Sequence, residues 1–377
     1  MILRRDPSDA ALRSGFPVRS VAASGSGPGR VLTRRLCGHA RSHTGGEAVW
    51  IVRLKPRGSV SPELRSDTLF GCIAWAAVAL EGPRRVEAWL TAFEDGDPPF
   101  LLSSTFPYQE GSAGGRVYFL PRPLHWPRLP EPRTLEEYRS RKKMKKRRYV
   151  PQDTFARVIR GESDAQPSGE APRLQPEPVL HNRINRLTWG TTDPGRLFYQ
   201  EQLFLPTNTG LYFLLDVLHE SETGLLRACL HLLGHLGWGG NSVSGMNHFT
   251  VEIEEKAEDF LPRVDSPTHF VTLSLYFPKP RERGHFAAHA DRCWYELVWR
   301  RGKIGGRFFP SGHFWKRAVN YFVEGSVFPL IDGALGCFGC NPLVKAVELK
   351  SPYGALRQVR SFGMAFAVPA KVTGVQE

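Results

Sequence analysis

No apolar run in the chain approaches the roughly 20 residues that a membrane-spanning helix requires, so no transmembrane segment is expected. The start of the chain carries arginines but no apolar stretch followed by a cleavage site, so a secretory leader is not expected either. Cysteine is sparse. The six (Cys37, Cys72, Cys229, Cys293, Cys337 and Cys340) are scattered, and two lie inside apolar segments, as buried thiols do in a reducing cytoplasm. Cys337 and Cys340 form a lone C-x-x-C without a second pair, which argues against a zinc or redox site. No G-x-S-x-G elbow, phosphate-binding P-loop or paired-carboxylate signature is present. His231 and His235 have metal-compatible spacing but no glutamate in the H-E-x-x-H arrangement, and His285 and His289 lie in a polar stretch. No catalytic residue, metal or cofactor is therefore expected, nor any fixed-period repeat.

What the chain does have is positive charge. Its 377 residues carry a formal +13, which favours nucleic acid or another polyanion as partner and would suit an acidic membrane surface equally well. Residues 1–47, rich in Arg, Ser, Gly and Ala without a period, are expected to be a disordered or weakly ordered basic extension. A strand is predicted from Ala48, then a helix from Ser66 to about Leu80 with Ser66 as N-cap and Asp67 in its first turn. A short helix over Arg84–Phe93 and strand segments within Phe100–Tyr108 and Arg116–Leu124 follow. Leu197–Leu205 and Leu211–Val217 read as a hairpin, Leu225–Leu236 as a helix and Phe249–Glu254 as a strand. Insertions aside, this order is βαββαβ, the ferredoxin-like pattern. A second, less regular set begins after residue 258, with a helix predicted around Lys316–Val323. The fold class expected is α+β: domains 48–258 and 259–377, the first carrying an insertion (126–180), an exposed hairpin tip (181–196) and a glycine-rich loop (234–248).

Three stretches are candidate polyanion contacts. In the glycine-rich loop, Gly237, Gly239, Gly240 and Gly245 flank Asn241, Ser242 and Ser244, a composition that lets backbone N–H groups face an anion. Trp238 offers a flat face for a base. The same composition also suits an ordinary helix-to-strand turn. In H-N-R-I-N-R-L-T, Arg183, Asn185, Arg186 and Thr188 are placed to meet phosphate or base edges, or form a plain polar loop. The run Arg139–Arg148, with Lys142, Lys143, Lys145 and Lys146, either neutralises phosphates or keeps a flexible insertion soluble.

Several pieces, in order, carry a resemblance: S-D-T-L-F (Ser66–Phe70), F-L-L-S-S-T-F-P-Y (Phe100–Tyr108), F-L-P-R-P-L (Phe119–Leu124), H-N-R-I-N-R-L-T (His181–Thr188), G-W-G-G-N-S-V-S-G (Gly237–Gly245) and E-G-S-V-F (Glu324–Phe328). Together they resemble the fourth subunit of the Csm complex, the type III-A CRISPR effector, in the Cas-five group of the RAMP superfamily. The resemblance implies two ferredoxin-like domains and a non-catalytic, cytoplasmic role in antiviral defence, capping the 5′ handle of the crRNA. It also implies two partners, the large polymerase/cyclase-type subunit and the first backbone RAMP subunit of the filament. The family's thumb would fall at about Asn182–Gly195 and its glycine-rich loop at Gly237–Gly245. This chain has Asn185 where an aspartate is usual, and Asn241-Ser242 where an acidic-basic pair is usual. The alternatives are a RAMP endoribonuclease that processes precursor crRNA, a backbone subunit that cleaves target RNA, and a generic basic scaffold with no RNA specificity. The first generally needs a histidine near the first helix, and Ala48–Leu80 has none; for the second, Asp67 is the nearest aspartate.

Overall fold

The computed structural model describes residues 49–373, except 63, 112–113, 127–133, 163–168, 183, 186, 192–196, 305–314 and 349–355. The extension expected at 1–47 lies outside them. Strand β1 (Val49–Pro56) is an apolar run buried on both faces, as befits a strand covered from both sides. Helix α1 (Ser66–Glu81) ends at Gly82, whose positive φ of 85° lets its N–H cap the Val78 carbonyl. Pro83 opens helix α2 (Pro83–Asp95), where a missing N–H costs nothing. Then come β2 (Phe100–Leu102), β3 (Phe106–Glu110), β4 (Arg116–Pro121), α3 (Leu135–Lys145), β5 (Tyr149–Pro151) and α4 (Gln152–Ile159). This part of the chain closes with β6 (Glu177–Asn182), β7 (Leu197–Gln202), β8 (Thr209–Val217), α5 (Thr223–Leu236) and β9 (Phe249–Ala257).

An antiparallel sheet runs in the order β5-β4-β3-β8-β1-β9, and β2 also pairs with β8. Strands β2 and β3 are one strand interrupted at Ser103–Thr105. Ser103 repairs the gap: its N–H donates to the Leu214 carbonyl and its hydroxyl accepts from Leu214 N–H, each at 2.9 Å. Helix α1 packs on α5, and their apolar faces share one buried cluster with β1 and β8.

Beyond β9 the chain forms β10 (His269–Thr272), α6 (Pro280–Ala288), β11 (Leu297–Arg300), β12 (Val319–Phe322), β13 (Val327–Pro329), β14 (Leu343–Glu348), β15 (Leu356–Arg360) and β16 (Ala367–Ala370). The described strands make a sheet β13-β10-β16 and two-stranded ribbons β11-β12 and β14-β15. The molecule is thus a mixed α/β chain of antiparallel sheets with few helices.

Three expectations are corrected. The helix predicted around Lys316–Val323 is instead strand β12, where Asn320 is exposed and Tyr321 buried, a period of two rather than 3.6. Strand β7 does not pair with β8. It pairs with β6, because β1 takes one edge of β8 while β2 and β3 take the other. The insertion 126–180 is not simply a flexible charged loop. Thr134 and Glu137 form a reciprocal capping box on α3, β5 joins the main sheet through β4, and α4 buries Phe155, Val158 and Ile159.

The short motifs scattered along the chain meet at one buried joint. Ser66 N–H donates to Ser104 Oγ (3.0 Å), whose hydroxyl donates to Glu324, and Arg65 lies 3.7 Å from the same carboxylate. Ser66 Oγ in turn accepts from Leu275 N–H at 3.0 Å. Ser66 is therefore the first residue of α1 and a bridge to the second half, while Arg65 occupies the N-cap position expected for it. Gly325, at φ 90°, passes so close to β4 that a Cβ there would sit 2.4 Å from the Arg122 carbonyl oxygen.

Candidate nucleic-acid interface

The glycine-rich loop leaves α5 at Gly237, makes one 3-10 turn (Ser242–Ser244) and enters β9 at Phe249. Positive φ at Gly237 (81°), Gly239 (75°), Asn241 (65°), Gly245 (89°) and Asn247 (59°) explains the run of glycine and asparagine. Asn247 is 1% exposed and holds the loop from inside. Its Oδ1 accepts from Ser61 N–H at 2.7 Å, and its amide donates to Ser61 Oγ at 2.8 Å and the Gly240 carbonyl at 3.0 Å. Gly239 N–H donates to Cys72 Sγ at 3.0 Å, and burial pushes that thiol up to about 11. The loop's outer rim, Gly240, Asn241, Ser244 and Gly245, is exposed, and Ser242 is half-buried. Among the described residues, none accepts from the N–H of Gly240 or Asn241.

Trp238 does not belong to that rim. Its side chain is 0% exposed and packs edge-on against Phe213, with ring centroids 5.7 Å apart. It anchors the loop from below and has no face to offer a base. A large aromatic beside glycines is equally compatible with a stacking platform and with a core plug, so sequence alone did not separate the two.

Strands β6 and β7 form a two-stranded ribbon, mostly exposed along its length, that flanks the stretch 181–196 expected as a thumb. At its tip Asn185 N–H donates to the Gly190 carbonyl (3.1 Å), and Asn185 Oδ1 accepts from Leu187 N–H (2.9 Å). Asn185 therefore shapes the turn, Thr188 is exposed, and Arg183 and Arg186 lie outside the described residues. Leu187 and Trp189 are 93% and 80% exposed. Within the basic run, Lys142, Lys143 and Lys146 are exposed on or just beyond α3; the Lys145 side chain is not among those described.

The segment Val60–Pro62 ties these pieces together, a role that no pattern in the sequence indicated. Val60 exchanges backbone hydrogen bonds with Leu203 at the foot of the hairpin (2.9 and 2.7 Å), and Ser61 holds Asn247 of the glycine loop. Ser61 and Pro62 also line a cleft of about 740 Å³, together with Lys143, Lys146, Arg147 and Arg148. Gln200 of β7 touches Met246 Sδ at 3.1 Å, a second link between hairpin and loop.

No family model matches the chain. A curated relative from Thermococcus onnurineus (strain NA1), the CRISPR system Cms protein Csm4, is 30% identical over 286 residues, spanning 73% of this chain and 85% of the relative. The chain belongs to the Csm4 family. Its fold is also that of solved Csm4-containing structures. A chain of the Csm1-Csm4 cassette crystallised with AMPPNP superposes with a TM-score of 0.51 at 21% identity, covering 87% of this chain and 99% of that one. A chain of the Csm3-Csm4 subcomplex of the type III-A CRISPR-Cas interference complex gives 0.51 at 17% identity, covering 85% and 99%.

Against that Csm4 background, the other chemistry-bearing side chains have structural surroundings. Asp67 is not a simple capping residue. Its carboxylate meets Arg300 of β11 at 2.9 Å, with both side chains largely buried, and also accepts from Thr68 N–H. Lys316 lies near the same pair, and burial pushes its ammonium pKa down. His231 and His235 are both exposed on α5, while His285 and His289 have ring centroids 4.5 Å apart. Beside the C-x-x-C pair, Gly339 N–H donates to the buried Glu282 carboxylate at 3.0 Å, and Lys279 Nζ donates to the Cys337 carbonyl. Among the described residues, no helix is long and apolar enough to cross a membrane.

Proposed function

We propose that this chain is the non-catalytic subunit of a type III-A CRISPR interference complex that caps and anchors the 5′ repeat-derived handle of the crRNA. In this reading it docks the large polymerase/cyclase-type subunit and the first backbone subunit, in the cytoplasm, for antiviral defence. The observation that carries it, beyond family membership, is the convergence on Val60–Pro62. An exposed loop rim with two unengaged N–H donors, a protruding hairpin and a cationic cleft all adjoin this one segment. Such a surface suits a bent single strand held mainly by its phosphates. The titles of the related structures pair Csm4 with Csm1 and with Csm3, which supports the two protein partners. Absence of catalysis is supported by the engagement of Asp67 with Arg300. We read residues 48–258 as a ferredoxin-like domain, supported by the order β3-β8-β1-β9 with α1 and α5 as crossovers, and residues 259–377 as its reduced counterpart.

The test uses Gly240→Glu. Gly240 is exposed, a Cβ there meets nothing within 4 Å, and its φ is not positive. The loop should fold normally while presenting a carboxylate where the phosphate belongs. Binding of handle-bearing RNA should weaken about tenfold or more, or 1.4 kcal/mol, with unrelated RNA nearly unchanged. Equal loss of both RNAs makes the loop a plain turn. Gly239 is a poorer site, since a Cβ there would lie 3.1 Å from Thr68 Cγ2 at φ 75°.

A further inference from the structure

The basic run is less uniform than its sequence. Its first half lies on α3, but Arg147 and Arg148 are fixed where the chain enters β5. Arg122, just past β4, donates its N–H to the Arg148 carbonyl (2.9 Å) and its Nε to the Arg147 carbonyl (3.2 Å). Arg147, its side chain 20% exposed, donates to the Gly169 carbonyl at 2.8 Å. The Arg148 guanidinium lies over the Tyr149 ring, 5.4 Å from its centroid. With Lys143, Lys146 and Arg173 these side chains line one cleft, whose carboxylates are Glu170 and Glu201. Five cations against two carboxylates leave a surplus of positive charge, and about 740 Å³ falls within the range of sites that hold a small ligand.

The cleft already holds an anion of its own. The Glu170 carboxylate is gripped by Lys143 at 2.5 Å and Arg147 at 3.3 Å, and the hydrogen bond from Lys143 holds its pKa below the usual range. Glu170 is itself exposed, so the pairing is a surface one that water and salt weaken. A phosphate, with more charge-bearing oxygens and the same bidentate appetite for guanidinium, is a better partner for these groups.

We propose that this cleft is a phosphodiester-binding site for single-stranded RNA, continuing from the glycine loop past Ser61 and Pro62, and that Glu170 occupies it until RNA displaces it. The inference rests on the RNA-binding reading above and adds to it a second, defined contact where charge alone suggested a diffuse one.

Charge-matched pairs test it in the full chain. Lys143→Gln with Lys146→Gln removes two cleft cations; Arg139→Gln with Lys142→Gln removes two from elsewhere on the same run. All four are exposed, so folding should be unaffected. Binding is measured by anisotropy with a guide RNA carrying its repeat-derived 5′ segment and with an unrelated strand of equal length, over a range of salt. The cleft pair should weaken binding about fivefold or more and lower the log–log salt slope by roughly 1.4, at about 0.7 per lost phosphate contact. The control pair should change both much less. Glu170→Gln should tighten binding more than Glu136→Gln, which removes an equal charge from the exposed first turn of α3. Equal effects of the two lysine/arginine pairs, or of the two glutamate variants, overturn the proposal. Failure of the wild-type chain to prefer handle-bearing RNA overturns the underlying reading instead, so the two failures are separable.

Discussion

Asp67 is the second residue of α1, and in the folded chain its carboxylate faces the guanidinium of Arg300, with side chains 11% and 15% exposed. Asp67→Asn removes the carboxylate that faces Arg300 in a poorly solvated place. It should cost roughly 2–3 kcal/mol, somewhat under the cost of breaking a fully buried pair. Target cleavage by the assembled complex should stay near the wild-type rate. Urea denaturation and a cleavage assay check the two halves of that expectation, and loss of cleavage in an intact complex would make Asp67 catalytic. In sequence, Asp67 read as a helix-start residue because its local signal is strong, whereas Arg300 is invisible across more than two hundred residues. The glycines of the loop were legible for the opposite reason, since positive φ is a local demand. Trp238 was legible only as an aromatic; which way it faces depends on Phe213, far away in the chain.

At the scale of elements, the apolar strands and helices of the first half stood out because their periodicity reports burial directly. Pairing did not, because which edge a strand takes is decided by competition among strands. The β6–β7 ribbon shows the consequence. It protrudes, but its foot is rooted: Leu203, 5% exposed, bridges to Val60. Replacing residues 183–196 by a short Gly-Ser link should shift the melting temperature by no more than about 2 °C, because the described side chains there contribute little burial. RNA near the handle should lose order. Leu203→Ala should instead cost roughly 2–4 kcal/mol, as truncation of a buried leucine does. Scanning calorimetry of both variants checks this, and global unfolding of the tip deletion would place the tip in the core.

Across the whole molecule, one hydrophobic cluster spans the two halves. Phe70 of α1 stacks on Phe362 with centroids 5.0 Å apart, and Phe93 of α2 meets the same ring edge-on at 5.9 Å. The two halves thus stabilise one another, a property no boundary drawn from local composition contains. Acid should weaken the whole through His269, which is 4% exposed between Thr268 and the rings of Trp294 and His125. Burial lowers its pKa from the usual 6.5 to about 4, helped by the neighbouring His125 and partly opposed by a hydrogen bond to the Arg292 backbone. Between those values the unfolded chain takes up a proton that the folded chain refuses. Stability is therefore full above about pH 6.5 and falls as pH drops towards 4, by up to about 3 kcal/mol. His125, whose pKa burial also lowers, adds a slope of the same sign. His269→Gln should flatten the part due to His269 in urea titrations between pH 4 and 7; an unchanged slope would show that another group carries it.

The bare leucine and tryptophan at the ribbon tip have a further consequence, in the economy of the cell. A free copy of this chain displays apolar surface that water does not favour and that chaperones and proteases are built to find. Copies made in excess of a partner that covers that tip are expected to be cleared first, and a pulse-chase comparison of the chain expressed alone and with the rest of its complex checks it.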